Sequence, residues 1–162
     1  LYDEGGKGAA AGQVDHSALA WLLDHPYLAQ PFPKSTGREV FGVEYLDRLL
    51  SRFPHLLSQD GLATLTRFTA ETVGNACELL LANRSYRLVV CGGGGKNRTL
   101  MRMLREKLPG VPLVHSQEMG VDSDSLESQF FAWFAVRTLK GMTSSMPGAT
   151  GAVEPAILGA IY

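Results

Sequence analysis

Apolar side chains recur at three- and four-residue steps along most of this chain, and in two places they run on with little interruption. Leu19, Leu22 and Leu23 have helical spacing in the segment HSALAWLLDHP that follows from Asp15, and Pro26 ends it. A second helix is predicted over 43–53, VEYLDRLLSRF, closing before Pro54. The longest predicted helix places Leu62, Leu65, Thr69, Val73, Ala76 and Leu80 on one mostly apolar face, with Asp60 as its N-cap and Arg84-Ser85 at its end. Residues 3–12, DEGGKGAAAG, read as a small-residue loop that reaches the body of the protein. QPFPKSTGREVF reads as a loop punctuated by Pro31 and Pro33.

The first apolar run, 88–91, suits a short strand covered on both faces, as in a parallel sheet. Gly92, Gly93, Gly94 and Gly95 follow it, then Lys96 and Asn97. NRTLMRMLREKL is amphipathic, with Leu100, Met101, Leu104 and Leu108 inward; Pro109-Gly110 stops it and VPLVH forms a second strand. Strand, glycine turn, helix, turn and strand in this order predict a right-handed βαβ unit and an α/β fold. The second run lies in a helix predicted over 125–140, SLESQFFAWFAVRTLK. That helix is apolar nearly all round, which predicts deep burial, with the aromatics at 130–133 in the core. Residues 142–162 return to small residues and turns before a final apolar stretch.

Composition narrows the classes. The 162 residues are one domain of ordinary size or one piece of a larger one. With 45% apolar and 19% charged residues the chain can sustain a core, and global disorder is excluded. A net charge of -1 and the lack of any long Lys/Arg run argue against nucleic acid as a partner. No stretch approaches the ~20 apolar residues that span a bilayer, and no basic-then-apolar leader opens the chain. Cys77 and Cys91 lie in no CxxC or Cys/His cluster, so no metal site is expected; they read as reduced, buried thiols of a cytoplasmic protein. His16, His25, His55 and His115 match no catalytic pattern and read as surface or core filler. An opening Leu1 and an apolar LGAIY ending read as a fragment.

The glycines carry the candidate chemistry. A P-loop needs G-x-x-x-x-G-K-[ST], but Lys96 follows only four glycines and precedes Asn97. The dinucleotide fingerprint G-x-G-x-x-G needs glycine where Asn97 stands. Two readings remain. One is bare backbone at the carboxyl end of a strand, leading into a helix whose free N–H groups favour an anion or a polar ligand edge. The other is a tight strand-to-helix turn with Asn97 as N-cap.

The segment CGGGGKNRTLMRML resembles the adenosine-binding stretch of the anhydro-N-acetylmuramic acid kinases, members of the actin, hexokinase and heat-shock-70 ATPase superfamily. PFPKSTGREVF at 31–41, SLESQFFAWFA at 125–135, SSMPGATGA at 144–152 and ILGAIY at 157–162 resemble the same family in the same order. The resemblance implies that residues 1–162 are the C-terminal nucleotide- and sugar-binding lobe of an actin-like, ribonuclease H-like ATPase fold, a sheet with packed helices, incomplete at its N-terminus. It implies ATP-dependent phosphorylation of O6 of 1,6-anhydro-N-acetylmuramic acid while water opens the anhydro ring at C1. The product would be N-acetylmuramic acid 6-phosphate, in peptidoglycan recycling. ATP and Mg2+ are the cofactors implied, and the enzyme is expected to be cytoplasmic. The partners implied are the sugar and a missing N-terminal lobe, with a homodimer among the assemblies open to the full-length protein.

Residue by residue, Gly92 to Gly95 and Asn97 match the adenosine motif, and Glu127 matches a glutamate that meets the sugar. Glu127 also fits a capping box, with Asp124 at N-cap and Glu127 at N3. Lys34, Ser35, Thr36 and Gly37 form a second ambiguous segment. Thr36 and Glu39 make another capping box, with Lys34 and Arg38 solvated, or the loop lines the cleft. Thr150-Gly151 agrees with the family, whereas Gly148-Ala149 stands where a Ser-Val pair is more usual. The family's general base, an Asp in a GFDTGPG-like segment, has no counterpart here, nor has its first-lobe phosphate loop or the arginine that meets the sugar carboxylate. All are expected upstream of Leu1, which would leave the chain alone inactive. The rival class is a non-catalytic nucleotide-binding or interaction module derived from the same fold.

Overall fold

The computed structural model describes residues 2–56 and 58–161, so Leu1 and Tyr162, the two ends of the family-like stretch, lie outside the described residues. The order of elements is α1 (Lys7–Ala11), α2 (His16–Leu23), α3 (Pro26–Ala29), α4 (Val43–Arg52), α5 (Gln59–Leu81), β1 (Leu88–Val90), α6 (Arg98–Lys107), β2 (Leu113–His115), α7 (Leu126–Leu139) and α8 (Pro147–Thr150). Short 3-10 turns lie at Glu4–Gly6, Gly93–Lys96 and Ser116–Met119. The predicted βαβ order is present as β1–α6–β2, with the strands parallel and Leu88, Val89 and Val90 opposite Leu113, Val114 and His115. The class is α/β.

The helix α5 separates two apolar clusters. On one side Ala18, Leu22, Tyr45, Leu49 and Leu56 pack with Leu65 and Phe68. On the other, Ala70 meets Met101, Met103 and Leu104 of α6, with Val73, Val90 and Leu113 against them. The face expected from periodicity is only partly the buried one: Leu62 and Leu80 are exposed, while Gly61, Ala63, Thr64, Ala70 and Gly74 are buried. Small side chains suit the two glycine positions because neighbouring atoms come close there, the Leu56 carbonyl at Gly61 and the Lys107 side chain at Gly74. At Gly12, which ends α1, a Cβ would fall inside the Gln59 carbonyl at the start of α5. At Gly74 it would strike the aliphatic stem of Lys107.

Residues 3–12 are therefore no loop. The Asp3 carboxylate accepts from Gly8 N (2.7 Å) and Ala9 N (2.9 Å), meeting the free donors at the start of α1, and the run of small residues slips between α5 and α6. Asp60 does not cap α5. Ser58 holds the N-cap position without a side-chain bond, and the Asp60 carboxylate instead accepts from Gln13 N at 2.7 Å. Buried Thr64 accepts from Asp15 N at 2.9 Å and donates to Asp60 O at 2.7 Å. Asp15 then caps α2 by accepting from Ala18 N at 2.8 Å. This bond first, and His55 Nε2 at 2.7 Å from the same carboxylate second, hold the Asp15 carboxyl below its ordinary range.

Three expectations of burial fail. Val89 is 41% exposed, so β1 is covered on one face only. Cys91 lies beyond the strand and is exposed, and Cys77 is half-buried. The helix α7 has no buried residue, with Phe131 75% and Leu139 72% exposed, and Phe130 and Trp133 open as well. Its apolar circumference meets few residues beyond the segment that follows it, through Arg137 Nε to Thr143 O (2.8 Å) and Thr138 to the Leu158 carbonyl. Among the described residues no helix is long and apolar enough to cross a membrane.

Gly12→Ala is expected to destabilise the chain by about 1–3 kcal/mol in urea denaturation, because its clash is with backbone that cannot step aside. Gly93→Ala, which meets open space, should change stability by less than about 0.5 kcal/mol. Asp15→Ala should cost about 1 kcal/mol at neutral pH. A carboxyl whose folded pKa is depressed stabilises above its unfolded value and stops doing so as pH falls through the folded one. The gap between Asp15→Ala and the native chain should therefore close in acid, measured by denaturation across pH 7 to 2.

Candidate functional site

Parallel pairing brings the loops after β1 and β2 out on the same side of the sheet, the usual place for a ligand in open α/β folds. The loop after β1 is the glycine run. Gly92 has φ +74°, a left-handed conformation that glycine adopts without strain. At Gly95 a Cβ would sit 3.2 Å from His115 Nδ1, tighter than ordinary contact. Gly93 and Gly94 are different. A Cβ at Gly93 has no atom within 4 Å and one at Gly94 touches only Leu100 at 3.7 Å, and neither residue has a positive φ. The fold requires glycine at two of these four positions. At the other two the bare backbone faces outward, which fits a flat ligand lying against it.

Asn97 is committed to structure: its Oδ1 accepts from Leu100 N at 2.9 Å and caps α6. It also presses on Gly6, where any Cβ would collide with the amide, and next to it buried Thr99 donates to Gly6 O at 2.6 Å. The N-cap reading of Asn97 thus holds.

The loop after β2 reaches back to the glycines. Gly92 N–H donates to Ser123 Oγ at 2.7 Å, and Ser123 is 8% exposed. Lys96 Nζ bonds both oxygens of Asp124, at 2.7 and 3.0 Å, and this pairing raises the Lys96 pKa. Asp124 N–H donates to Asp122 Oδ1 at 3.1 Å, the main reason the Asp122 carboxyl sits low. The expected capping box of α7 is not formed. Ser125, not Asp124, is at N-cap; its hydroxyl accepts from Gln129 Nε2 at 2.9 Å instead of capping, and the Asp124 carboxylate is turned to Lys96. Glu127 lies exposed in the first turn of α7, three residues on.

The KSTG segment forms a second group. No helix begins at Thr36, so its capping box fails too; the chain turns there, with Val40 N and Phe41 N both donating to Gly37 O. Lys34 is not solvated. Its ammonium donates to Tyr27 O (3.0 Å) and Leu28 O (2.9 Å) and lies 4.8 Å from the centres of the Tyr27 and Phe32 rings. It also lines a 430 Å³ cavity with Thr36, Phe41 and Phe68. Ser35 Oγ donates to Thr150 O at 3.2 Å, and a Cβ on Gly151 would sit 3.1 Å from Pro33 O. Two loops more than a hundred residues apart in sequence thus share one surface. Among the described residues no hydrogen bond joins this group to the glycine run.

His16 is an exposed surface residue as expected, but His25 and His115 are more than filler. His25 caps α3 through Nδ1, 3.2 Å from Tyr27 N, between the rings of Phe41 and Tyr45. His115 backs Gly95, and its backbone N donates to Glu118 Oε1 at 2.8 Å. Sequence reasoning passed over Ser123 and the Lys96–Asp124 pair. Lys96 and Asp124 lie 28 residues apart with no local pattern to join them, and nothing marked out the serine.

The sequence profile of the anhydro-N-acetylmuramic acid kinases matches residues 1–162. The chain belongs to the anhydro-N-acetylmuramic acid kinase family. A curated relative, the anhydro-N-acetylmuramic acid kinase of Shewanella amazonensis (strain ATCC BAA-1098 / SB2B), is 43% identical over 161 residues, which are 99% of this chain and 43% of the relative. The chain spans less than half the length of this family member.

Lys34→Met should free the loop between α3 and α4. Limited proteolysis is expected to cut within residues 30–40 several-fold faster than in the native chain, since two charge-assisted bonds are lost. Unchanged cleavage would mean that the prolines, the Gly37 turn and the Ser35–Thr150 bond hold this loop without Lys34.

Proposed function

We propose that this chain is the nucleotide- and sugar-binding lobe of a cytoplasmic, ATP-dependent sugar kinase. The whole enzyme would phosphorylate O6 of 1,6-anhydro-N-acetylmuramic acid with hydrolytic opening of the anhydro ring. Family membership supports the reaction. The observation in this chain that supports a nucleotide is the outward bare backbone at Gly93 and Gly94, where the fold itself makes no demand for glycine.

On this reading Gly92 to Gly95 form the floor on which the adenosine lies, and Asn97 shapes that floor by capping α6. Glu127 faces solvent and is free to meet a sugar hydroxyl. The Ser35–Thr150 contact would set one wall of the cleft. ATP supplies the phosphoryl group, and catalysis of such a transfer rests on positioning and charge stabilisation. No group of three or more His, Cys, Asp or Glu side chains that could hold a metal is present among the described residues. These residues therefore build no cage of their own for Mg2+, an ion that phosphoryl-transfer enzymes hold chiefly on the phosphates of the nucleotide. The general base and the phosphate loop belong, on this reading, to the rest of the protein, in line with the share of the relative that the chain covers. The uncovered circumference of α7 and the open face of β1 are where that remainder would pack.

The test is phosphoryl transfer from ATP to 1,6-anhydro-N-acetylmuramic acid by the full-length protein and by residues 1–162 alone. Activity in the full-length protein and none in the chain alone is expected. Gly93→Val in the full-length protein should raise the Kd for ATP at least ten-fold with little change in Tm. ATP binding without transfer in any form would favour the non-catalytic module.

A further inference from the structure

The turn 122–124 bonds the glycine run at two points and runs directly into α7. Its two bonds differ in kind. Ser123 is buried and accepts from Gly92 N–H, the amide of the residue whose left-handed φ starts the glycine turn. Without that oxygen a half-buried backbone donor loses its partner. The Lys96–Asp124 pair is bidentate, but its side chains are 64% and 67% exposed, so it adds little to stability. What it does fix is direction. Lys96 closes the 3-10 turn of the glycine run, and Asp124 stands two residues before α7, its carboxylate turned to Lys96. One bond thus holds each end of the glycine turn, and both come from the same three residues.

We propose that Ser123 and Asp124 are positioning residues: they strap the glycine run to the first turn of α7, so that nucleotide on the glycines and the orientation of α7 are set together. The proposal rests on the nucleotide reading of the glycine run. It adds residues outside the glycine motif, and a coupling between the two faces of the site that neither segment shows alone. Neither side chain needs to touch the ligand. If the Gly92 amide loses its acceptor, Gly92 is freed to leave its left-handed conformation and the floor formed by Gly93 and Gly94 tilts. If Asp124 lets go of Lys96, the turn 122–124 is no longer tied to the end of the glycine run, and the first turn of α7 that follows it is free to reorient.

The experiment uses the full-length protein with ADP as probe. Isothermal titration gives affinity, and hydrogen exchange over residues 120–130 gives the response of α7. In the native protein ADP should slow exchange across the first turn of α7. Ser123→Ala should weaken ADP about ten-fold, the effect of one lost bond to a backbone donor, and abolish the slowed exchange, while Ser123→Thr restores both in part. Asp124→Asn and Lys96→Met should each leave Tm nearly unchanged and weaken the exchange response, and the double variant should do no more than either single one, as expected for two members of one contact. A fall in Tm with native ADP affinity and a native exchange response would reduce the strap to packing and overturn the inference alone. If the native protein binds no ADP, the nucleotide reading of the glycines fails, and this inference falls with it.

Discussion

The arrangement turns on how closely the backbone can approach the first half of α5. Two helices come into near contact only where side chains are small, and here the small positions are consecutive in space: Gly12 against Gln59, then Gly61, Ala63 and Thr64, then Ala70 and Gly74. Bulk at Gly12 would press on the Gln59 carbonyl, and residues 3–14 would lose their slot between α5 and α6. That slot places Gly6 beneath Asn97 and its carbonyl at Thr99. A steric condition at one helix therefore reaches, through a short N-terminal segment, the cap of α6 and the turn that precedes it. The hydrogen bonds of Thr64, Asp60 and Asp3 do not create this packing. They satisfy the backbone donors that close packing takes out of water.

The glycine run shows how a sequence feature divides once the fold is known. Gly92 answers to a backbone angle and Gly95 to the His115 ring. Gly93 and Gly94 answer to nothing inside the chain, and glycine there costs conformational entropy without return in stability. Nothing in the described packing asks for glycine at these two positions, which sets them apart from Gly92 and Gly95. The same reasoning runs the other way for Lys34, whose charge looks functional beside a serine and a threonine. It is consumed by two carbonyls and two ring faces, so its contribution is to loop shape.

What could be read from the sequence was periodic and local. The spans of α2, α4, α6 and α7 and the β1–α6–β2 order followed from apolar spacing and from Pro and Gly stops. The motif order pointed to the family that the comparison bears out. Both capping boxes misled, for one reason. The S/T/D-x-x-E pattern lists groups able to cap, but Asp124 has a lysine within reach and Thr36 has no helix after it, and neither fact is local. α1 was missed because Gly and Ala carry no hydrophobic signal, although the Asp3 cap was present in the sequence. The face of α5 was misjudged because size, not hydropathy, selects the residues at a close crossing.

Burial was the least legible property, and α7 explains why. A helix that is apolar all round needs cover on every side, and periodicity reports the need without naming the supplier. Here the residues after α7 supply part of it, leaving an 800 Å³ groove between Phe130, Trp133 and Met146. β1 has the same deficit, since a parallel pair of three-residue strands cannot cover its own outer face. The two deficits are one requirement: the sheet wants further strands and a layer on the side where Val89 is bare, and α7 wants neighbours. An amino-acid sequence encodes such surfaces as core wherever the covering chain lies, which is how a correct pattern led to a wrong expectation of burial. The glycine run needs no such cover. The contacts that shape it come from α6, His115 and the turn 122–124.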